Sequence, residues 1–185
     1  MVVPEPRRRK RDAVVIWRLH VSERSAFFFV MWQGQARVTL RRQAARGHHS
    51  PPGYRVPVER HYAPDKPLVW VGDLNVAPEP IDLHDPKGNK DHVDFHPLAR
   101  EALARVREWG LVDVFRLHHP DEPEQYTYFD YRVRNAVERK VGWRVDHIYA
   151  TQPLAERSLN AWIDVQARQA ERPSDHTFLV AEFQL

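Results

Sequence analysis

The 185 residues carry 42% hydrophobic and 29% charged side chains and a formal net charge of +3, a balance that suits one soluble domain with a sizeable core. The longest apolar run, Ala26 to Trp32, falls well short of the ~20 residues that span a bilayer, so no membrane partner is expected. The absence of cysteine excludes disulfides, a thiolate zinc site and a cysteine nucleophile, and favours the cytoplasm.

The charge is uneven along the chain. Residues 1–60 hold 13 Lys and Arg against 4 Asp and Glu, a net of +9, and residues 61–185 hold 15 against 21, a net of −6. Arg7 to Arg11 reads as a solvated basic tail or as a phosphate-contacting arm. Arg18, His20, Glu23 and Arg24 follow it where a signal peptide would have an apolar core. Ala13–Leu19 and Ala26–Trp32 are candidate strands. Gln43–Pro57, with Gly47, Pro51, Pro52 and Gly53, is a poor element. No motif stands out up to residue 58. The expected division is therefore a basic, irregular region over 1–58 and a patterned one over 59–185.

Leu68–Val71 is a short apolar run between Pro67 and Gly72, which predicts a buried strand delivering Asp73 and Asn75 at its end. A polar, Pro-rich loop over Ala77–Asp94 follows. Pro97 then opens a helix whose Ala99, Ala102, Leu103 and Val106 share one face, with Gly110 ending it. Tyr126–Tyr131 is aromatic and strand-like. Trp143–Ala150 predicts a strand with Val145, His147 and Tyr149 on one side and Asp146 and Ile148 on the other. Thr151 is positioned to cap a short helix around Leu154–Ser158. Ala161–Val165 is a further strand, Pro173–His176 a loop, and Thr177–Phe183 a closing strand. Many strands with few helices between them argue for an α+β layered fold.

Three strings place an acid, an amide or a histidine beside a strand: Gly72-Asp-Leu-Asn75, Trp143-Arg-Val-Asp146 and Ser174-Asp-His176. Asp73, Asn75, Asp146, Asp175 and His176 are the equipment for metal-assisted attack of water on a phosphodiester. Carboxylate oxygens hold a hard cation such as Mg²⁺, a base takes the water's proton, and a charged donor meets the developing negative charge.

Together with Val71–Pro78, Trp109–Arg116, Phe129-Asp-Tyr-Arg132, Gln152–Ala155 and Pro173–His176, these strings resemble, in order, the exodeoxyribonuclease III and abasic-site endonuclease branch of the endonuclease/exonuclease/phosphatase superfamily. The resemblance runs from Glu59 to Leu185. It implies an α/β/β/α sandwich and an Mg²⁺-dependent DNA-repair nuclease, with Mn²⁺ as a substitute, acting on abasic sites and 3′ ends without an obligate protein partner. It implies Asp73 as the group that orients or deprotonates water and Asn75 as its partner. His176 is placed beside the phosphate and fixed by Asp146, and Asp175 is a metal carboxylate with Asp73 and Asn75 near the metal. The resemblance further implies that Tyr128, Trp143 and Val145 line a nucleotide pocket and that Arg132 contacts the DNA backbone. Plain core aromatics remain the alternative for Tyr128 and Trp143 and a solvated side chain for Arg132, while Asp113, following the helix, reads as a structural acid rather than a catalytic one. The family's first half supplies a metal-binding glutamate that has no counterpart motif in residues 1–58, so a truncated or disrupted member is expected. The alternatives are an inactive DNA-binding fragment and a phosphatase acting on other phosphoesters.

Overall fold

The computed structural model describes residues 62–184 and the backbone of two short strands before them, β1 (Leu19–His20) and β2 (Phe28–Met31). The expected boundary at residue 58, the basic run and the Gln43–Pro57 segment lie outside the described residues.

Strand β3 (Leu68–Asp73) is antiparallel to β5 (Asp146–Thr151) and parallel to β2, while β4 (Leu111–Asp113) flanks β5, giving the order β2-β3-β5-β4. A second sheet has the order β1-β7-β6, with β6 (Ser158–Asp164) antiparallel to β7 (Phe178–Phe183). The β3–β5 register sets Val69 opposite Ala150, Val71 opposite Ile148 and Asp73 opposite Asp146. Side chains two apart share a face, so the two acids end the same face that carries these apolar pairs. That face packs against Ala161 of β6 and Leu179, Ala181 and Phe183 of β7. Val114 and Phe115 of α2 (Val114–His118) and Leu154 and Ala155 of α3 (Gln152–Ala155) complete this core. Each large side chain fully buried here contributes roughly 1.5–3 kcal/mol.

The other face of the first sheet presents Trp70 and Tyr149, stacked with centroids 5.9 Å apart. It packs on Leu103 and Val106 of α1 (Pro97–Glu108). Pro97 sits in the first turn, and Gly110 leaves α1 at φ +122°, a conformation that favours glycine. The two facing sheets with α1 outside are the expected α+β sandwich.

Four local expectations change. Tyr126–Tyr131 is not a strand: among the described residues, Tyr128 alone of this segment forms bridges, to Trp143 and to His176. The strand expected over Trp143–Ala150 begins at Asp146, because the Arg144 N–H turns away to donate to the Asp82 carbonyl. Ala77–Asp94 contains a 3₁₀ turn at Pro80–Asp82 and leads into another at Val93–Phe95. It is tied to α1 by Arg100, whose Nε donates to the Pro78 carbonyl at 2.7 Å. Thr151 precedes α3 but gives it no side-chain cap. Its Oγ1 instead donates to the Lys66 carbonyl and accepts from the Leu68 N–H.

Candidate active site

Asp73 ends β3, Asp146 opens β5 directly opposite it, and His176 stands two residues before β7. The first two belong to one sheet and the third leads into the other, so the trio sits where the two sheets meet at one end. His176 Nδ1 donates to Asp146 Oδ2 at 2.8 Å, and its Nε2 lies 4.0 Å from Asp73 Oδ2. Asn75 adopts φ 52°. Its backbone N–H donates to Asp73 Oδ1 at 2.9 Å and its Nδ2 to Asp73 Oδ2 at 3.1 Å, fixing the carboxylate from both sides. Asp146 is held by Thr127, whose Oγ1 accepts the N–H groups of Val145 and Asp146 at 3.1 Å each.

The charges at this spot compete. Burial and then repulsion from Asp146 push the Asp73 carboxyl up to about 6, against the pull of His176. Burial disfavours charge on His176, but its bond to Asp146 and the carboxylates of Asp146, Asp73 and Asp175 outweigh burial and raise it to about 8. At neutral pH the arrangement is an ionised Asp73 facing an imidazolium. Asp146 Oδ1 is buried and has no hydrogen-bond partner among the described residues, an acceptor left unsatisfied.

Ligating atoms of Asp73, Asp146 and His176 all lie within 4.8 Å of one another. His176 is nonetheless a poor ligand, since a protonated ring with Nδ1 engaged by Asp146 has no lone pair to offer. The carboxylate and amide oxygens of Asp73, Asn75 and Asp175 are hard donors of the type Mg²⁺ takes, and together with Asp146 Oδ1, which has no partner among the described residues, the donor chemistry fits such an ion. Asp175 stands outside the trio but close enough for its charge to act on His176 and Tyr128.

Around the trio, the Tyr128 ring lies 5.0 Å from the His176 ring. Trp143 and Val145 are buried with Ala77, Leu83 and Phe95, with Tyr128 against them. His92 covers Trp143 with ring centroids 4.7 Å apart. Arg132 is exposed at the surface and bound to Asp130, with Nη2 to Oδ2 at 2.6 Å.

Sequence reasoning passed over a second polar cluster at the start of β5. Arg144, fully buried, donates to Asp82 (Nε to Oδ1, 2.7 Å) and Asp113 (Nη2 to Oδ2, 2.8 Å), and Arg116 also donates to Asp82 at 2.5 Å. Asp113 further caps α2 by accepting the Arg116 N–H, the structural role expected of it. Burial opposes charge on Asp82, yet Arg144 and Arg116 outweigh it and keep the carboxyl below its ordinary range. Arg144 Nη1 donates to His147 Nδ1 at 3.1 Å, and His147 Nε2 donates to the Val76 carbonyl at 2.8 Å. Burial, then the Arg144 charge, lowers His147 to about 4, so it is neutral with its proton on Nε2. Arg168 was also missed. It bonds the Ser174 carbonyl and, at 3.4 Å, the Phe129 carbonyl, joining the two strings that frame His176. Asp82 lies 62 residues from Arg144 and Asp113 31, so no spacing pattern announces the ion cluster.

The Endonuclease/Exonuclease/phosphatase family pattern matches residues 14–176. Exodeoxyribonuclease III of Haemophilus influenzae is 32% identical over 132 residues, covering 68% of this chain and 49% of the relative. An AP endonuclease structure from Archaeoglobus fulgidus superposes with a TM-score of 0.68 at 50% identity, covering 69% of this chain and 49% of that one. A 3′ phosphatase from Neisseria, solved bound to a product DNA hairpin, superposes with a TM-score of 0.60 at 35% identity, covering 64% and 46%. The chain spans between 34% and 49% of the length of the curated relatives it matches.

Proposed function

Since the chain belongs to the endonuclease/exonuclease/phosphatase family, we propose that it hydrolyses DNA phosphodiesters at abasic sites and 3′ ends, in the cytoplasm, with Mg²⁺ or in its place Mn²⁺. The observation that carries this reading is the convergence of Asp73, Asp146 and His176 from distant parts of the chain. The names of relatives add support: an exodeoxyribonuclease III, an AP endonuclease and a DNA-bound 3′ phosphatase.

In this mechanism the Asp73 carboxylate takes a proton from an attacking water, the role of a general base. Asn75 donates two hydrogen bonds to that carboxylate and so fixes the direction from which water is activated. The imidazolium of His176, oriented by Asp146, presents Nε2–H to a phosphate oxygen as negative charge builds there. Asp73, Asn75 and Asp175 would hold the cation, which when bound neutralises phosphate charge and steadies the leaving oxygen. Tyr128, Trp143 and Val145 are assigned to the wall beside the scissile nucleotide and Arg132 to the DNA backbone. The division of the chain at residue 58 belongs to the same reading. So does the absence of an obligate protein partner.

The test is incision of an abasic duplex and removal of a 3′ phosphate by the purified chain with Mg²⁺. Turnover that falls at least about a thousandfold in Asp73→Asn, as loss of an acid–base group predicts, supports the nuclease. Binding of the duplex without incision in the unsubstituted chain would instead identify an inactive DNA-binding fragment, and cleavage of only non-DNA phosphoesters a phosphatase.

A further inference from the structure

We infer that His147 is a positioning residue: from the face of β5 opposite Asp146 it clamps the Val76 carbonyl and so holds Asn75 in the backbone conformation from which Asn75 orients Asp73. What Asn75 does rests on the proposed nuclease reading, whereas what His147 holds rests on geometry alone.

Residues 74–77 have no regular structure, yet each is tied down. The Leu74 N–H donates to the Val145 carbonyl at 3.0 Å, the Asn75 N–H to Asp73 Oδ1 at 2.9 Å, and the Ala77 N–H to the Asp94 carbonyl at 2.7 Å. The Val76 carbonyl is taken by His147 Nε2 at 2.8 Å. Among these four ties, His147 supplies the side chain that reaches across from another strand. Asn75 needs such a hold. Its φ of 52° is a left-handed conformation that L side chains adopt sparingly, Asn more readily than most, and the surrounding ties select it.

The clamp is itself held on several sides. His147 is fully buried, lies opposite Gly72 in the β3–β5 register and stacks on Tyr149 with centroids 5.4 Å apart. Its Nδ1 accepts from Arg144, which Asp82 and Asp113 lock from two sides. The buried ionic cluster thus reaches the catalytic turn through one imidazole ring. An apolar residue of similar size would fill the space but leave the Val76 carbonyl and an Arg144 N–H without partners.

The experiment compares His147→Leu with His147→Gln, whose amide retains a donor and an acceptor. It reads amide hydrogen exchange of Asn75 against that of Ala150 in mid-strand, and turnover of an abasic duplex by the full chain with Mg²⁺. In His147→Leu the Asn75 amide should exchange at least about tenfold faster with Ala150 unchanged, a local opening. Turnover should drop about ten- to a hundredfold with KM held within about twofold, as misplacement of a reacting group predicts. His147→Gln should restore both quantities to within about threefold of the unsubstituted chain. If His147→Leu does not fold, His147→Asn, too short to reach both partners, replaces it under the same criteria. Equal acceleration at Asn75 and Ala150, or a Gln variant as impaired as the Leu variant, overturns the inference. Failure of the unsubstituted chain to cleave would sink the nuclease reading alone, because the exchange comparison still decides what His147 holds.

Discussion

Two polar clusters meet at the start of β5, and they handle buried charge in opposite ways. Around Arg144 every charge has a counter-charge in hydrogen-bond contact: Asp82 lies under two guanidinium groups, Asp113 under one, and His147 is kept neutral. Around Asp146 the charges stay frustrated. Asp73 is pushed up, His176 is held protonated, and one oxygen of Asp146 has no partner among the described residues. Saturated charges give a rigid base, while unsaturated ones have free energy left for a ligand. The fold sets the second cluster on the first, with His147 and the Val76 carbonyl as the joint.

The largest effect should come from breaking the saturated cluster. Arg144→Met strands Asp82 and Asp113 without their shared cation, and losing one member of a buried ion pair costs about 3–5 kcal/mol. Urea denaturation should show that loss. Asp146→Asn, in the frustrated cluster, should shift stability by less than about 1 kcal/mol, because it removes both the His176 contact and the repulsion of Asp73.

Acid sharpens the contrast. His147 is lowered from 6.5 to about 4, so its contribution is present above pH 6.5 and lost as pH falls towards 4, at most roughly 3 kcal/mol. Asp73 is raised from 3.8 to about 6, so stability decreases as pH climbs through that window. Its term opposes that of His147 and is reduced because the side chain is 35% exposed. The unsubstituted chain should therefore show a shallow stability profile between pH 4 and 6.5, and Asp73→Asn a steeper one that rises with pH. Parallel profiles from chemical denaturation across that range would contradict the assignment of opposite signs.

On the alkaline side His176, raised to about 8, contributes stability that is complete below 6.5 and disappears as pH rises through 8. Asp146→Asn should return the His176 titration towards 6.5, measured by NMR of the ring protons. The smallest effect is expected for Asn75→Gly. It relieves a left-handed conformation but removes the side-chain bond to Asp73, and thermal unfolding should register a net change within about 1 kcal/mol.

The frustrated cluster was legible in the sequence and the saturated one was not. Asp73, Asn75, Asp146 and His176 each interrupt or border an apolar run, so a polar residue at a strand end stands out against its neighbours. Arg144 finds Asp82 62 residues away and Asp113 31 away, and a buried ion cluster leaves no periodicity. Tyr126–Tyr131 was misread because aromatic density imitates a strand, whereas among the described residues the segment bridges through Tyr128 alone. The second sheet was legible in β6 and β7, but not that β1 would pair beside β7. The family pattern likewise begins at residue 14, ahead of the first string that chemistry alone can anchor.

The contrast between the clusters is tested most directly by NMR of the two imidazole rings in one sample at pH 7. The account predicts His176 protonated on both nitrogens and His147 carrying a single proton on Nε2. Both rings found neutral, or both titrating together near 6.5, would contradict it.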